Sequence, residues 1–311
     1  GTIVFSTKVA GNYVINLDGT YYELATPTGM SAHPSVASTS ADGNVWVGYA
    51  MKSMNDGHGS LYWPLKWVDG EAQELKMPAT SYRGEEYTSA QFLNGVMARG
   101  ISANGEIIYG STWDNEDAGM IWWDAEGTAR YVGEDVRNER EVTMVDWSGS
   151  EYTYTLVDGV QTWSGAGQAS PDGKWLAGTF TVESLNETRD RINSTYYPAY
   201  FNTETGQTTV LEDYEGYGGC GVTDEGFAFM AAVGGMGGSG PVVNLENGAT
   251  VAYASLEEYV QERFGINVPS GGQFKYMAAD GSVLLASTVI AAPWGADIAT
   301  WYVAKRGQES E

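Results

Sequence analysis

The chain has 311 residues, 40 of them acidic and 16 basic, which gives a formal charge of −24. So negative a field repels nucleic-acid phosphates and anionic membrane surfaces, and excludes both as partners. The 41 glycines, 20 tyrosines and 11 tryptophans, with 18% charged residues, suit many short strands joined by tight turns rather than a helical protein.

From the N-terminus, "YVINLDGTYYEL" reads as strand, acid-glycine turn and returning strand, and the stretch 2–26 supplies three strands. Gly1 is followed by no basic and then apolar signal-like run, so a targeting segment is expected to lie outside this chain. No apolar run approaches the roughly twenty residues that a membrane span needs.

One phrase then recurs: "STSADGNVWVG", "GISANGEIIYG", "QASPDGKWLAG", "GVTDEGFAFMA" and "MAADGSVLLAS". A second follows it at variable distance, in "YWPLKWVDGEAQEL", "MIWWDAEGTARYV", "YFNTETGQTTVL" and "VVNLENGATVAY". In both, a glycine supplies the positive φ of a tight turn between two strands. One unit is therefore strand A, tight turn, strand B, variable loop, strand C, tight turn, strand D. Such a four-stranded meander of about 40 to 50 residues matches a β-propeller blade.

Four units are complete, over 35–78, 97–133, 166–212 and 219–253. The stretch 274–305 adds strands A, B and C. The expected fold is one all-β propeller domain over 1–311 with about six blades, five or seven staying open because the two end pieces add to six strands. Insertions interrupt it at 134–165, where Asp158-Gly159 reads as the turn of an extra hairpin, at 181–195, a polar B–C loop, and at 254–272. In the last, "SLEEYVQERFG" reads as a short helix near 255–264, with Ser255 as N-cap, Glu258 in the capping-box position and Gly265 as the stop.

The repeats resemble the extracellular HAF-repeat family of bacteria, whose units read approximately G-I-S-x-D-G-x-x-V-G, a loop, then A-F-x-W and a turn. "GISANGEIIYG" followed by "GMIWWDAEG" is the best copy, and the tail "SLEEYVQERFGINVPSGGQFKYMAADGSVLLAS" looks like the helix-then-repeat segment of such proteins. The His-Ala-Phe tripeptide itself is absent from every unit. What the resemblance implies is a secreted, periplasmic or cell-surface propeller-like protein, and it implies no catalytic residues.

Catalytic constellations are scarce. His33 and His58 are the only histidines, so a three-histidine zinc site is impossible and neither lies in a G-x-S-x-G context. Asp114, Glu116, Asp117 and Asp146 are loop carboxylates of the kind a glycosidase pairs, but among 40 acids such clusters arise by chance. No metal site is assigned and no cofactor is expected, although "WDNEDAG" and "MNDGHG" leave calcium open. The lone Cys220 reads as a buried small hydrophobe.

Because strand direction alternates, the tight turns fall on one face and every long segment on the other. The long segments are 51–60, 112–119, 181–195 and 287–297 as B–C loops, with 79–96, 134–165 and 254–272 as D–A connections. Long loops on a rigid scaffold carry binding. Trp113 is the stacking candidate of "TWDNEDAG", with Asp114 as polar partner and Tyr87, Trp147, Tyr152 and Trp294 from neighbouring segments. The expected function is a monomeric, exported, non-enzymatic module that binds a carbohydrate or a protein. A glycoside hydrolase or lyase, or a structural domain of a surface assembly, stays open.

Overall fold

The computed structural model describes the chain except at residues 1–2, 8–10, 17, 32–33, 55–58, 85–94, 114–118, 125, 163–168, 234–237, 268–272, 278–282, 292–296 and 306–311. It is an all-β structure in several antiparallel sheets, with one α-helix among the described residues. Two compact units divide it, 1–132 and 133–311.

In the first unit β1 (Ile3–Thr7), β2 (Gly11–Ile15) and β3 (Tyr21–Leu24) form a three-stranded sheet. The first full repeat is β4 (Ser35–Thr39), β5 (Val45–Met54), β6 (Gly59–Val68) and β7 (Glu71–Glu74). The second is β8 (Gly95–Ile101), β9 (Ile108–Trp113), β10 (Met120–Trp123) and β11 (Ala129–Tyr131). A single parallel pairing, Tyr62 with Gly95, joins the two repeats.

The second unit opens with β12 (Asn138–Val145) and β13 (Glu151–Gln161), which extend the sheet of β14 (Trp175–Leu185), β15 (Ile192–Asn202) and β16 (Gln207–Val210). The next repeat is β17 (Tyr217–Val222), β18 (Phe227–Ala232), β19 (Val242–Asn244) and β20 (Thr250–Tyr253). Helix α1 (Leu256–Phe264) follows, then β21 (Gln273–Met277), β22 (Val283–Ala291) and β23 (Asp297–Lys305). The helix has the expected ends: Ser255 accepts from the Glu258 N–H, Glu258 reaches back to the Ala254 N–H at 2.6 Å, and Gly265 adopts φ 69°.

The A–B turns share one device. Ser170 Oγ donates to Asp172 Oδ1 at 2.6 Å and accepts from the Trp175 N–H at 2.9 Å, while Asp172 accepts from the Lys174 N–H at 3.0 Å. Ser40 with Asp42 and Ser102 with Asn104 repeat this, and Thr223 takes the serine's place beside Phe227. All four hydroxyl residues are buried, so each turn satisfies internally the polar groups it withdraws from water.

Strand A also breaks its ladder at one recurring place. Register shifts fall between Val36 and Ser38, Ala98 and Gly100, Gly219 and Gly221, and Phe274 and Tyr276, each leaving one extra residue on strand A as a β-bulge. Opposite the first two bulges stand Gly48 and Gly110. A Cβ on Gly48 would lie 1.9 Å from Ser35 O, and one on Gly110 2.0 Å from Met97 O, so the glycine of "VWVG" and "IIYG" is a requirement of close backbone approach.

Within each unit, successive sheets pack face to face. Val14 and Leu24 meet Trp46, Leu65 and Trp67, and Val47 and Leu75 meet Ile108, Ile121 and Trp123. In the second unit Trp175 and Tyr200 meet Val222, Met230 and Val243, and α1 sets Leu256, Tyr259 and Phe264 against Phe229 and Leu284. Strands covered on both faces lose their alternation, as in the fully buried β10. Of the residues following the A–B turn, Val47, Ile108, Leu176, Phe229 and Leu284 are buried, while Ile107 is half-buried.

Several expectations need correcting. Of the long segments, 51–54 and 59–60 belong to β5 and β6, 95–96 to β8, and 287–291 and Asp297 to β22 and β23 rather than to loops. Asp158-Gly159 is not a turn: both residues lie inside β13, and the hairpin turns at Asp146–Ser150. The loop expected over 181–195 shortens to 186–191, because β14 and β15 stay paired out to Leu185 and Ile192. Thr112 and Trp113 belong to β9 rather than to the loop after it. Two strand tryptophans are satisfied at long range: Trp67 and Trp123 donate at 2.7 Å to Ala25 O and Lys76 O, 42 and 47 residues upstream.

Candidate functional site

In the second unit β12 and β13 form a hairpin arm. Asp146 Oδ1 closes its turn by accepting from the N–H groups of Ser148 (2.8 Å) and Ser150 (2.9 Å) and from Ser148 Oγ (2.6 Å). The hydroxyl of Ser148 and these main-chain donors hold the Asp146 carboxyl below its usual range. Gly149 at φ 85° completes the turn. This leaves Trp147 at the tip with 98% of its surface exposed. Tyr152, 44% exposed, faces its cross-strand partner Met144, and its hydroxyl lies 3.6 Å from Met144 Sδ.

The arm's root is polar and buried. Here β13 leaves β12 and begins to pair with β14 at Gly159, and side chains replace the missing ladder. Glu183 Oε2 accepts from the Val157 N–H at 2.8 Å, and Asp158 Oδ1 accepts from the Glu183 N–H at 2.9 Å. Arg140 supplies the cation, bonding Asp158 Oδ2 and the Glu183 carbonyl. Toward the tip, the Val145 N–H donates to Arg189 O at 2.9 Å and Arg189 pairs with Glu151 at 2.9 Å. The arm is thus fixed at both ends by polar contacts. Sequence reasoning missed Arg140 and Glu183, and the signal available was an acid inside an otherwise apolar strand, "TLVDGV".

Trp113 lies in the first unit, the last residue of β9 and opposite Gly95, which is itself paired with Tyr62. Tyr87, Asp114 and Trp294 lie outside the described residues, as do His33, His58, Glu116 and Asp117. Among the described residues no group of three or more His, Cys, Asp or Glu is placed to hold a metal ion. Cys220 is a buried thiol, in no disulfide, at the bulge of β17 and packed with Phe229 and Val260. Asp146 serves as a turn cap, and its lowered pKa is the reverse of what a glycosidase general acid needs.

No protein-family model matches the chain, and no curated protein matches it significantly. Among solved structures 54 chains match. TolB from Acinetobacter baumannii is 12% identical, covering 74% of this chain and 48% of TolB at a TM-score of 0.34, so the chain spans about half of TolB's length. The dihydro-heme d1 dehydrogenase NirN, in complex with DHE, is 11% identical over 98% of this chain and 73% of its own, with a TM-score of 0.25. A protein from Lactobacillus plantarum is 12% identical over 96% and 93%, with a TM-score of 0.27. No ligand or activity passes to this chain from likenesses of this strength. No helix among the described residues is long and apolar enough to cross a membrane.

Proposed function

We propose that the protein is an exported, non-enzymatic binding module, a β-propeller of about six blades whose long-loop face takes a carbohydrate or protein ligand. Supporting the propeller are the serial face-to-face packing of sheets within each unit and the recurrence of the same turn and bulge in successive repeats. The observation that carries the binding reading is Trp147, 98% exposed on an arm braced at root and tip. Tryptophan is highly buried on average and enriched at interface hot spots, so a fully exposed one on a rigid support is a ready anchor. Tyr152 adds a second ring on the same arm. Glu141 and Glu151 are exposed on the arm's other face, where Glu151 is held by Arg189.

The test is a glycan array with and without calcium, followed by titration of the best binder and, in parallel, of a set of basic peptides. Trp147→Ala is expected to weaken binding at least tenfold while leaving the melting temperature unchanged, because an exposed side chain contributes little to stability. Unchanged affinity in Trp147→Ala and Tyr152→Ala would remove the arm from the ligand site.

A further inference from the structure

A second feature lies in the other compact unit and is independent of the arm. Arg99 is the extra residue at the bulge of β8. Its Nε donates to Ser111 Oγ at 3.3 Å, and its guanidinium carbon stands 5.9 Å from the centre of the Tyr49 ring. Tyr49 and Ser111 are equivalent positions, each directly following the glycine opposite its repeat's bulge. Tyr49 in turn meets Tyr62 edge to face, with ring centres 5.6 Å apart.

Arg99 is half-buried, and no carboxylate pairs with it among the described residues, in a chain of 40 acids. Lys52, Arg130, Arg137, Arg140, Lys174 and Arg263 each have one. A half-buried cation without a counterion is costly, and its two terminal nitrogens match the two oxygens of a carboxylate. Bulges re-aim side chains beside functional sites.

We propose that Arg99, with Ser111, Tyr49 and Tyr62, forms a subsite for the carboxylate of an acidic sugar. Arg99 binds the uronate carboxyl bidentately through its terminal nitrogens, Ser111 holds the guanidinium through Nε, and the tyrosine rings receive the sugar's C–H surface. The chain's charge of −24 opposes a polyanion, so the fitting ligand carries a single uronate.

The experiment titrates three probes by calorimetry: a trisaccharide carrying one glucuronate, its carboxyl-reduced counterpart, and an acetylated peptide ending in glutamate. The wild type is expected to bind the acidic sugar at least tenfold more tightly than the reduced one. Arg99→Gln should erase that preference, and Arg99→Lys should cut it at least threefold, since lysine keeps the charge and loses the planar fork. Trp147→Ala should leave it unchanged, which separates this subsite from the arm. Equal affinity for the two sugars, no binding of the acidic sugar, or tighter binding of the peptide would overturn the proposal. If Arg99→Gln does not fold, an undiminished preference in Arg99→Lys would do the same.

Discussion

One methyl group separates the two kinds of glycine in this chain. Gly110 faces the bulge of β8, where a Cβ would sit 2.0 Å from Met97 O, whereas Gly127 sits in a turn at φ 72° with nothing within 4 Å of its Cβ position. Gly110→Ala must push strand A away and should cost about 3 kcal/mol or more. Gly127→Ala meets only the backbone penalty of a left-handed alanine, about 1–2 kcal/mol. Urea unfolding of the two variants checks the difference, and equal losses would show that the bulge tolerates the methyl. Both glycines were visible in the repeat, but only the turn glycine carried its reason in the sequence. The other depends on a strand partner thirteen residues upstream whose bulge no local pattern announces.

Between elements, two A–B turns of the second unit touch. Asp224 Oδ1 accepts from the Asp172 N–H at 2.9 Å, bridging β14's turn to β17's across 52 residues. Partial burial, then repulsion from the Asp172 and Glu225 carboxylates, raises the Asp224 pKa to about 6. The folded value lies above the ordinary 3.8, so the protonated form favours the fold. That contribution is complete below about pH 4 and is lost as pH rises through 6. Asparagine keeps the acceptor and removes the charge, so Asp224→Asn should stabilise at pH 7.5 and match the wild type at pH 4. The difference between 3.8 and about 6 corresponds to about 3 kcal/mol, which the exposure of Asp224 reduces to about 1, or about 2–4 °C in a thermal melt. An unchanged melt at pH 7.5 would dissolve the link. Element boundaries were mostly legible, because each tight turn declares itself by acid or amide followed by glycine. The arm shows where that rule fails: Asp158-Gly159 has turn chemistry, yet Asp158 is engaged by Arg140 and the Glu183 N–H, and the chain runs straight through. Trp147 stands out by its place in an insertion, while Arg99 does not, since its significance is the absence of a carboxylate partner among the described residues.

At the scale of each compact unit, the sheets bury their faces chiefly against their sequence neighbours, so stability within a unit is a chain of nearest-neighbour terms. Within the second unit β17–β20 is covered by the β14–β16 sheet on one side and by α1 and β22 on the other. The arm has no such cover beyond its braces. Amide exchange should therefore be fastest at 146–152 and slowest in β17 and β18, and mass spectrometry of the intact chain resolves this order. A uniform rate across the unit would mean that it opens as one block.

The recurring break in strand A also says how such a chain can change length. Four repeats carry a single surplus residue there, and in the repeat of β14 the pairing breaks at the same place, passing from Gln161–Thr179 to Ala169–Leu176. Strand pairing and turn chemistry continue on either side. A bulge that already releases one residue from the ladder is a port through which a lineage can admit new sequence, and a designer could graft a peptide there without retuning either neighbouring turn.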